Sequence, residues 1–248
     1  MSNRVTTPIL VVDDDLDAGQ NLSDILVDLG YEVSVASDGE SALQLARDNR
    51  FEIALLDLKM PGMDGLTLAS KLKELSPSMV VILTTAFANR TTLATSQSHG
   101  IRRVFAKPLD LAQVIPYLLD ISEQPLVLLV DDDTDACHSL SDVLDDQGYR
   151  LGCASSIDQA IAQVQRQQYR VILLDMKLPG GYGDEVYRRL RALAPDARVV
   201  LVTGYRHEME ERVNRTLADG ADAVCYKPLQ FPQLLEMLSK LTAARSTD

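Results

Sequence analysis

The stretch ILVVDDDLDAG runs from Ile9 to Gly19, and VLLVDDDTDAC runs from Val127 to Cys137. In each, an apolar run ends abruptly in three adjacent aspartates. Successive side chains of a strand point to opposite faces, so an unbroken apolar run suits a sheet that is covered on both sides. The aspartates then stand where such a strand leaves the core.

The two stretches are part of a longer repeat. A shift of 118 residues also lays FEIALLDLKMPG (Phe51 to Gly62) on YRVILLDMKLPG (Tyr169 to Gly180), and VVILTTAF (Val80 to Phe87) on RVVLVTGY (Arg198 to Tyr205). VFAKPL (Val104 to Leu109) meets VCYKPL (Val224 to Leu229) at a shift of 120. Solenoid units run to only about 50 residues, so this period indicates two copies of a domain. The expected domains are 1–122 and 123–248, with a short linker over Asp120 to Pro125.

In the first copy, strands are expected near 8–12, 32–36, 52–57, 79–84 and 103–106. Amphipathic helical patterns lie between them, as in Leu16 to Leu29 and Leu66 to Leu75. This alternation predicts an α/β fold with a parallel, doubly wound sheet in each copy. Ligands of such sheets bind beyond the carboxyl ends of the strands. Asp13 to Asp15, Asp57, Thr85 and Lys107 fall at those ends, and Asp131 to Asp133, Asp175, Thr203 and Lys227 match them. Of Thr84 and Thr85, strand alternation sends only one to the site, and the spacing shared with Thr203 selects Thr85.

Composition narrows the classes. Residues 1–123 carry 10 Lys and Arg against 17 Asp and Glu, and the remainder 14 against 19, so neither half has the basic footprint of a nucleic-acid binder. No apolar run approaches the roughly 18 residues of a membrane span, and MSNRVTTP is not a signal peptide. Cys137, Cys153 and Cys225 are odd in number and widely spaced, which fits neither a disulfide framework nor zinc. They are expected to be small buried hydrophobes of a reducing cytoplasm.

The acidic ends carry the chemistry. Carboxylates about 4 Å apart repel by roughly 4 kcal/mol at an effective dielectric of 20. Lys107 offers one positive charge to Asp13, Asp14 and Asp57. An all-oxygen donor set with few carboxylates suits Mg²⁺ that keeps several waters. Asp15 and Asp133 precede helical patterns and read as N-caps. An EF-hand starting at Asp131 fails, because Ala136 and Asp142 stand where Gly and Glu are required. Mg²⁺ beside a carboxylate, a hydroxyl and a lysine makes a phosphoryl-transfer site, with Asp57 able to form an aspartyl phosphate. His99, His138 and His207 share no motif and read as exposed or structural.

At this point the chain resembles, twice over nearly its whole length, the receiver domains of bacterial two-component response regulators. The pieces that match are the acidic pair after the first strand, LLDLKMPGMDG and LLDMKLPGGYG, the Thr-Ala or Thr-Gly step, and the Lys-Pro pair. Acidic pair to acceptor spans 44 residues in both copies, and acceptor to threonine spans 28 in both. The resemblance implies flavodoxin-like (βα)5 domains with sheet order 2-1-3-4-5. It makes Asp57 and Asp175 phosphoacceptors and Asp14 and Asp132 direct Mg²⁺ ligands, with Asp13 and Asp131 acting mostly through water. Asp57, Asp175 and the backbone carbonyls of Lys59 and Lys177 complete the metal set. Thr85 and Thr203 would hydrogen-bond the phosphoryl group, and Lys107 and Lys227 would pair with it. Cis peptides are implied before Pro108 and Pro228. The implied donor is a histidine kinase or histidine phosphotransfer protein, and the output a protein–protein interaction. Each domain would catalyse its own phosphorylation and hydrolysis without being a conventional enzyme. A receiver-fold scaffold, or the regulatory part of a larger regulator or hybrid kinase, are the alternatives.

The chain also departs from the family. Val104 and Val224 stand where many receivers carry an aromatic three residues before the lysine; Phe105 and Tyr226 are shifted in phase. The second copy has two more residues between threonine and lysine, in RHEMEERVNRTLADG, so shared chemistry with different partners is expected. Phe87 and Tyr205 flank the threonines. Pro116 lies in the last helix of the first copy, which is expected to bend or begin late.

Overall fold

The computed structural model describes residues 7–86, 99, 101–179, 181–204 and 208–243. The chain divides into two compact units, Met1–Glu123 and Gln124–Asp248. In the first, strands β1 (Pro8–Val12), β2 (Glu32–Ala36), β3 (Ile53–Asp57), β4 (Val80–Thr85) and β5 (Ile101–Ala106) form a sheet of order β2-β1-β3-β4-β5. All its pairings are parallel. Helices α1 (Leu16–Asp28), α2 (Gly39–Asp48), α3 (Gly65–Leu75) and α4 (Leu111–Glu123) accompany it.

The apolar runs explain this layering. Leu10, Val12, Ala54, Leu56, Val81 and Leu83 pack with Ala42, Leu43, Leu68 and Leu72 in one cluster. Their strand neighbours Ile9, Val11, Ile53, Leu55, Val80 and Ile82 pack with Leu26, Val114 and Leu118 in another. Alternation thus divides each run between two cores. A fully buried Leu or Ile contributes about 1.5–3 kcal/mol, so these runs hold the strand tips, and the acids on them, in place.

The second unit repeats the plan with β6 (Leu126–Val130), β7 (Arg150–Ala154), β8 (Val171–Asp175), β11 (Arg198–Thr203) and β12 (Ala223–Tyr226). Its order, β12-β11-β8-β6-β7, is the first unit's order read from the other edge. Helices α5 (Thr134–Asp146), α6 (Ile157–Arg166), α7 (Gly183–Leu193), α8 (Glu210–Ala218) and α9 (Phe231–Ala243) accompany it. One addition has no counterpart in the sequence reading: β9 (Lys177–Leu178) pairs antiparallel with β10 (Gly181–Tyr182) just after Asp175. Among the described residues no helix is long and apolar enough to cross a membrane.

Helix starts follow the acidic signals. Asp15 Oδ1 accepts from Ala18 N at 3.1 Å, and Asp133 Oδ1 from Ala136 N at 3.1 Å, so both aspartates are caps, as expected. Asp64 caps α3 by accepting from Thr67 N at 2.8 Å, and that bond holds its carboxyl below the usual value. The Lys107–Pro108 and Lys227–Pro228 peptides are cis, as the resemblance implied.

Three expectations need correction. Helix α4 begins at Leu111 and continues through Pro116 to Glu123, so it does not begin late at the proline. Pro116 is exposed, and the Ala112 carbonyl it leaves without a partner belongs to an exposed first-turn residue that water reaches. The same helix takes up Asp120 to Glu123, so the linker shrinks to Gln124 and Pro125 before β6. Finally, Cys137 and Cys153 are joined as a disulfide, with Cα atoms 6.3 Å apart, while Cys225 is free. The 16 residues between them in sequence hide the fact that the first turn of α5 lies against β7.

Candidate functional site

At the carboxyl edge of the first sheet, Asp13 follows β1 and Asp57 ends β3, and both are nearly buried. Asp13 Oδ1 accepts from Asp15 N at 3.1 Å, and Asp57 Oδ1 from Lys59 N at 3.3 Å. Lys107 bridges the other two oxygens. Its ammonium donates to Asp13 Oδ2 at 2.7 Å and to Asp57 Oδ2 at 2.8 Å. The backbone N–H of Lys107 is itself fixed to the Thr85 carbonyl at 2.7 Å. Asp14 is exposed, yet it offers an oxygen within 4.8 Å of those of Asp13 and Asp57.

The second unit reproduces this arrangement. Lys227 Nζ lies 2.7 Å from Asp131 Oδ2 and 2.6 Å from Asp175 Oδ2. Asp175 Oδ1 accepts from Lys177 N at 2.9 Å, and Asp131 Oδ1 from Asp133 N at 3.1 Å. Lys227 N donates to the Thr203 carbonyl at 2.9 Å. Asp131, Asp132 and Asp175 bring oxygens within 4.8 Å of one another. A cleft of about 650 Å³ opens here, lined by Asp132, Asp175, Lys177, Leu178, Pro179, Gly204 and Lys227.

Electrostatics leave both clusters short of positive charge. Burial alone would lower the Lys107 and Lys227 pKa values, but hydrogen bonds and charge from the paired aspartates outweigh it and hold both above the ordinary value. Three carboxylates against one ammonium still leave two negative charges in each cluster. The donors are all oxygen, and the exposed Asp14 and Asp132 leave a side open to water. That set fits a hard divalent ion that retains part of its hydration, which is Mg²⁺ rather than zinc.

Thr85 and Thr203 are buried at the ends of β4 and β11. The neighbouring Thr84 hydroxyl donates to the Leu56 carbonyl at 3.3 Å and is committed to the sheet. The out-of-phase aromatics differ between the units. Phe105 is core and meets Tyr117 edge-on at 5.8 Å, whereas Tyr226 is exposed. Phe87, Tyr205 and His207 lie outside the described residues, as does most of the segment between β4 and β5.

Two glycines went unassigned in the sequence, although each stands eight residues after its acceptor. Gly65 opens α3 against the acceptor strand: its N–H donates to the Leu58 carbonyl at 3.0 Å. A Cβ there would collide with the Asp57 carbonyl and lie 2.9 Å from Leu58 Cα. Gly183 has the same role, with a Cβ falling 2.8 Å from the Asp175 carbonyl. A cluster in the second unit was missed too. The Arg212 guanidinium pairs with buried Asp184 at 2.9 Å and stacks 3.8 Å from the Tyr182 ring, so α8 is tied to the acceptor loop.

Comparison with known proteins agrees with the geometry. The model of the response regulator receiver domain matches residues 9–118 and again 127–239. A response regulator receiver protein of Anaeromyxobacter sp. strain Fw109-5 is 32% identical over 200 residues, covering 81% of this chain and 83% of that protein. Sporulation initiation phosphotransferase F of Bacillus subtilis strain 168 is 32% identical over 106 residues, 43% of this chain and 86% of that protein. The transcriptional regulatory protein ZraR of Escherichia coli K12 is 35% identical over 102 residues; these make up 41% of this chain but only 23% of ZraR.

Proposed function

Because the chain belongs to the response regulator receiver domain family and carries that domain twice, we propose that it is a two-component signalling protein with two phosphoacceptors, Asp57 and Asp175. The observation that carries this reading is the lysine bridging two near-buried aspartates, with a third acid beside them, built twice.

In this reading the donor is a phosphohistidine of a histidine kinase or phosphotransfer protein. An Asp57 carboxylate oxygen attacks phosphorus, the P–O bond forms as the donor's P–N bond breaks, and the imidazole leaves with a proton from solvent. The Lys59 N–H holds one acceptor oxygen in place. Lys107, already aimed at Asp57, turns its charge to the phosphoryl oxygens, and the Thr85 hydroxyl donates to one of them. Asp13, Asp14, Asp57 and the Lys59 carbonyl would hold Mg²⁺, which supplies further positive charge against those oxygens. Asp131, Asp132, Asp175 and Lys177 are the equivalents in the second unit, with Thr203 and Lys227. Similarity to the sporulation initiation phosphotransferase supports the relay role. Output is then through protein partners that read a shifted two-state equilibrium, in the cytoplasm.

The test uses a labelled acyl phosphate as donor with Mg²⁺. Wild-type protein is expected to carry acid-stable, base-labile label on both units. Asp57→Asn and Asp175→Asn should each keep one site, and the double variant none. Label undiminished in the double variant would overturn the assignment.

A further inference from the structure

Outside the acidic site, the second unit holds a pair of cysteines that its twin lacks. Cys137 lies in the first turn of α5 and Cys153 on β7, the edge strand, and both are partly buried. Their Cα separation of 6.3 Å lies inside the span that a disulfide bridges, about 4.4–6.8 Å. The first unit has Gly19 and Val35 at these places. There the helix and strand pack so tightly that a Cβ on Gly19 would fall 3.2 Å from Val35 Cγ1. Close approach is therefore a property of the fold, and only the second copy fills it with two sulfurs. Cys225 cannot compete for either partner. It sits on β12, at the opposite edge of the same sheet, and burial pushes its thiol pKa up.

We infer that Cys137 and Cys153 form a dithiol–disulfide site, closed by exchange with a low-molecular-weight disulfide such as oxidised glutathione, which ties the acidic loop's helix to the sheet edge in the second unit alone. In the exchange, one cysteine thiolate attacks a glutathione disulfide sulfur and releases the first reduced glutathione. The second cysteine then displaces the other. Two electrons and two protons pass from the cysteine pair to the two glutathiones, and one S–S bond is exchanged for another. The bond lies just beyond Asp131, Asp132 and the Asp133 cap, so it restrains the helix start next to them. Disulfides of reducing compartments are mostly transient and redox-responsive, and this partly exposed pair suits that behaviour. The inference stands apart from the phosphoacceptor reading, since it uses none of the acidic residues.

The experiment equilibrates the full chain in glutathione buffers of rising oxidised fraction, quenches with an alkylating agent, and maps the peptides. In oxidising buffer the expected products are a linked Cys137–Cys153 peptide and alkylation of Cys225 only. Backbone hydrogen exchange over residues 134–154 should then be at least about tenfold slower than in the reduced chain, with the first unit unchanged. Three alkylated cysteines, glutathione retained on Cys137 or Cys153, or a linked pair without slower exchange would each overturn the proposal.

Discussion

Lys107→Ala is expected to cost the first unit about 2 kcal/mol in urea unfolding without Mg²⁺, and much less with it. The ammonium sits 2.7 and 2.8 Å from two nearly buried carboxylates. Its removal leaves those charges facing each other and Asp14. Breaking a fully buried pair costs about 3–5 kcal/mol; this lysine keeps a quarter of its side chain exposed, so the loss is smaller. A divalent ion at a hundredfold excess over its dissociation constant contributes about 2.7 kcal/mol to a folded state that alone binds it. Wild-type protein gains from magnesium too, so the loss shrinks because the variant, freed of the competing ammonium, binds the ion more tightly. Lys227→Ala should act in the same way on the second unit and leave the first unchanged. The sign with pH follows from the raised lysine pKa. The lysine's contribution is fully present below the unfolded value of about 10.5 and fades as pH rises through the folded one. An equal loss with and without magnesium, or no loss, would contradict the electrostatic account of the site.

Gly65→Ala should damage both stability and phosphorylation. Alanine in a helix is ordinarily favoured over glycine by up to about 1 kcal/mol. Here the methyl group meets backbone, the Asp57 carbonyl and Leu58 Cα, which cannot rotate out of the way. Overpacking of this kind costs about 1–3 kcal/mol, so the clash wins. Relief requires the start of α3 or the acceptor strand to shift. Displacing a reacting group by about 1 Å can cost on the order of 100-fold in rate. The expected result is slower labelling of Asp57, with Asp175 labelled normally. Gly183→Ala should show the same pattern on Asp175, less severely, because its contacts begin at 2.8 Å. Normal stability and labelling in both variants would show that close approach here is unnecessary.

Most of the site was legible because the fold places it at strand ends, and strand ends show in sequence. The apolar runs before Asp13 and Asp57 gave strand, depth and direction together. Repetition brought the two lysines into register with these acids. The features that escaped depend on contacts between elements. Gly65 carried no signal of its own, since nothing local says that α3 begins against the acceptor backbone. The Cys137–Cys153 pair arises where a helix crosses an edge strand, and the Arg212–Asp184–Tyr182 cluster joins elements some 30 residues apart. The β9–β10 ribbon pairs two residues with two, too few for any periodic pattern. Pro116 misled for the opposite reason: its local penalty is real, but it falls on an exposed face where water meets the orphaned carbonyl.

The proposed function requires a magnesium ion to complete each acidic cluster. Calorimetric titration of the metal-free chain with Mg²⁺ tests it most directly. Two ions per chain are predicted, one lost when Asp13 and Asp14 are both changed to Asn and the other when Asp131 and Asp132 are. No uptake at millimolar Mg²⁺, or uptake indifferent to those changes, would contradict it.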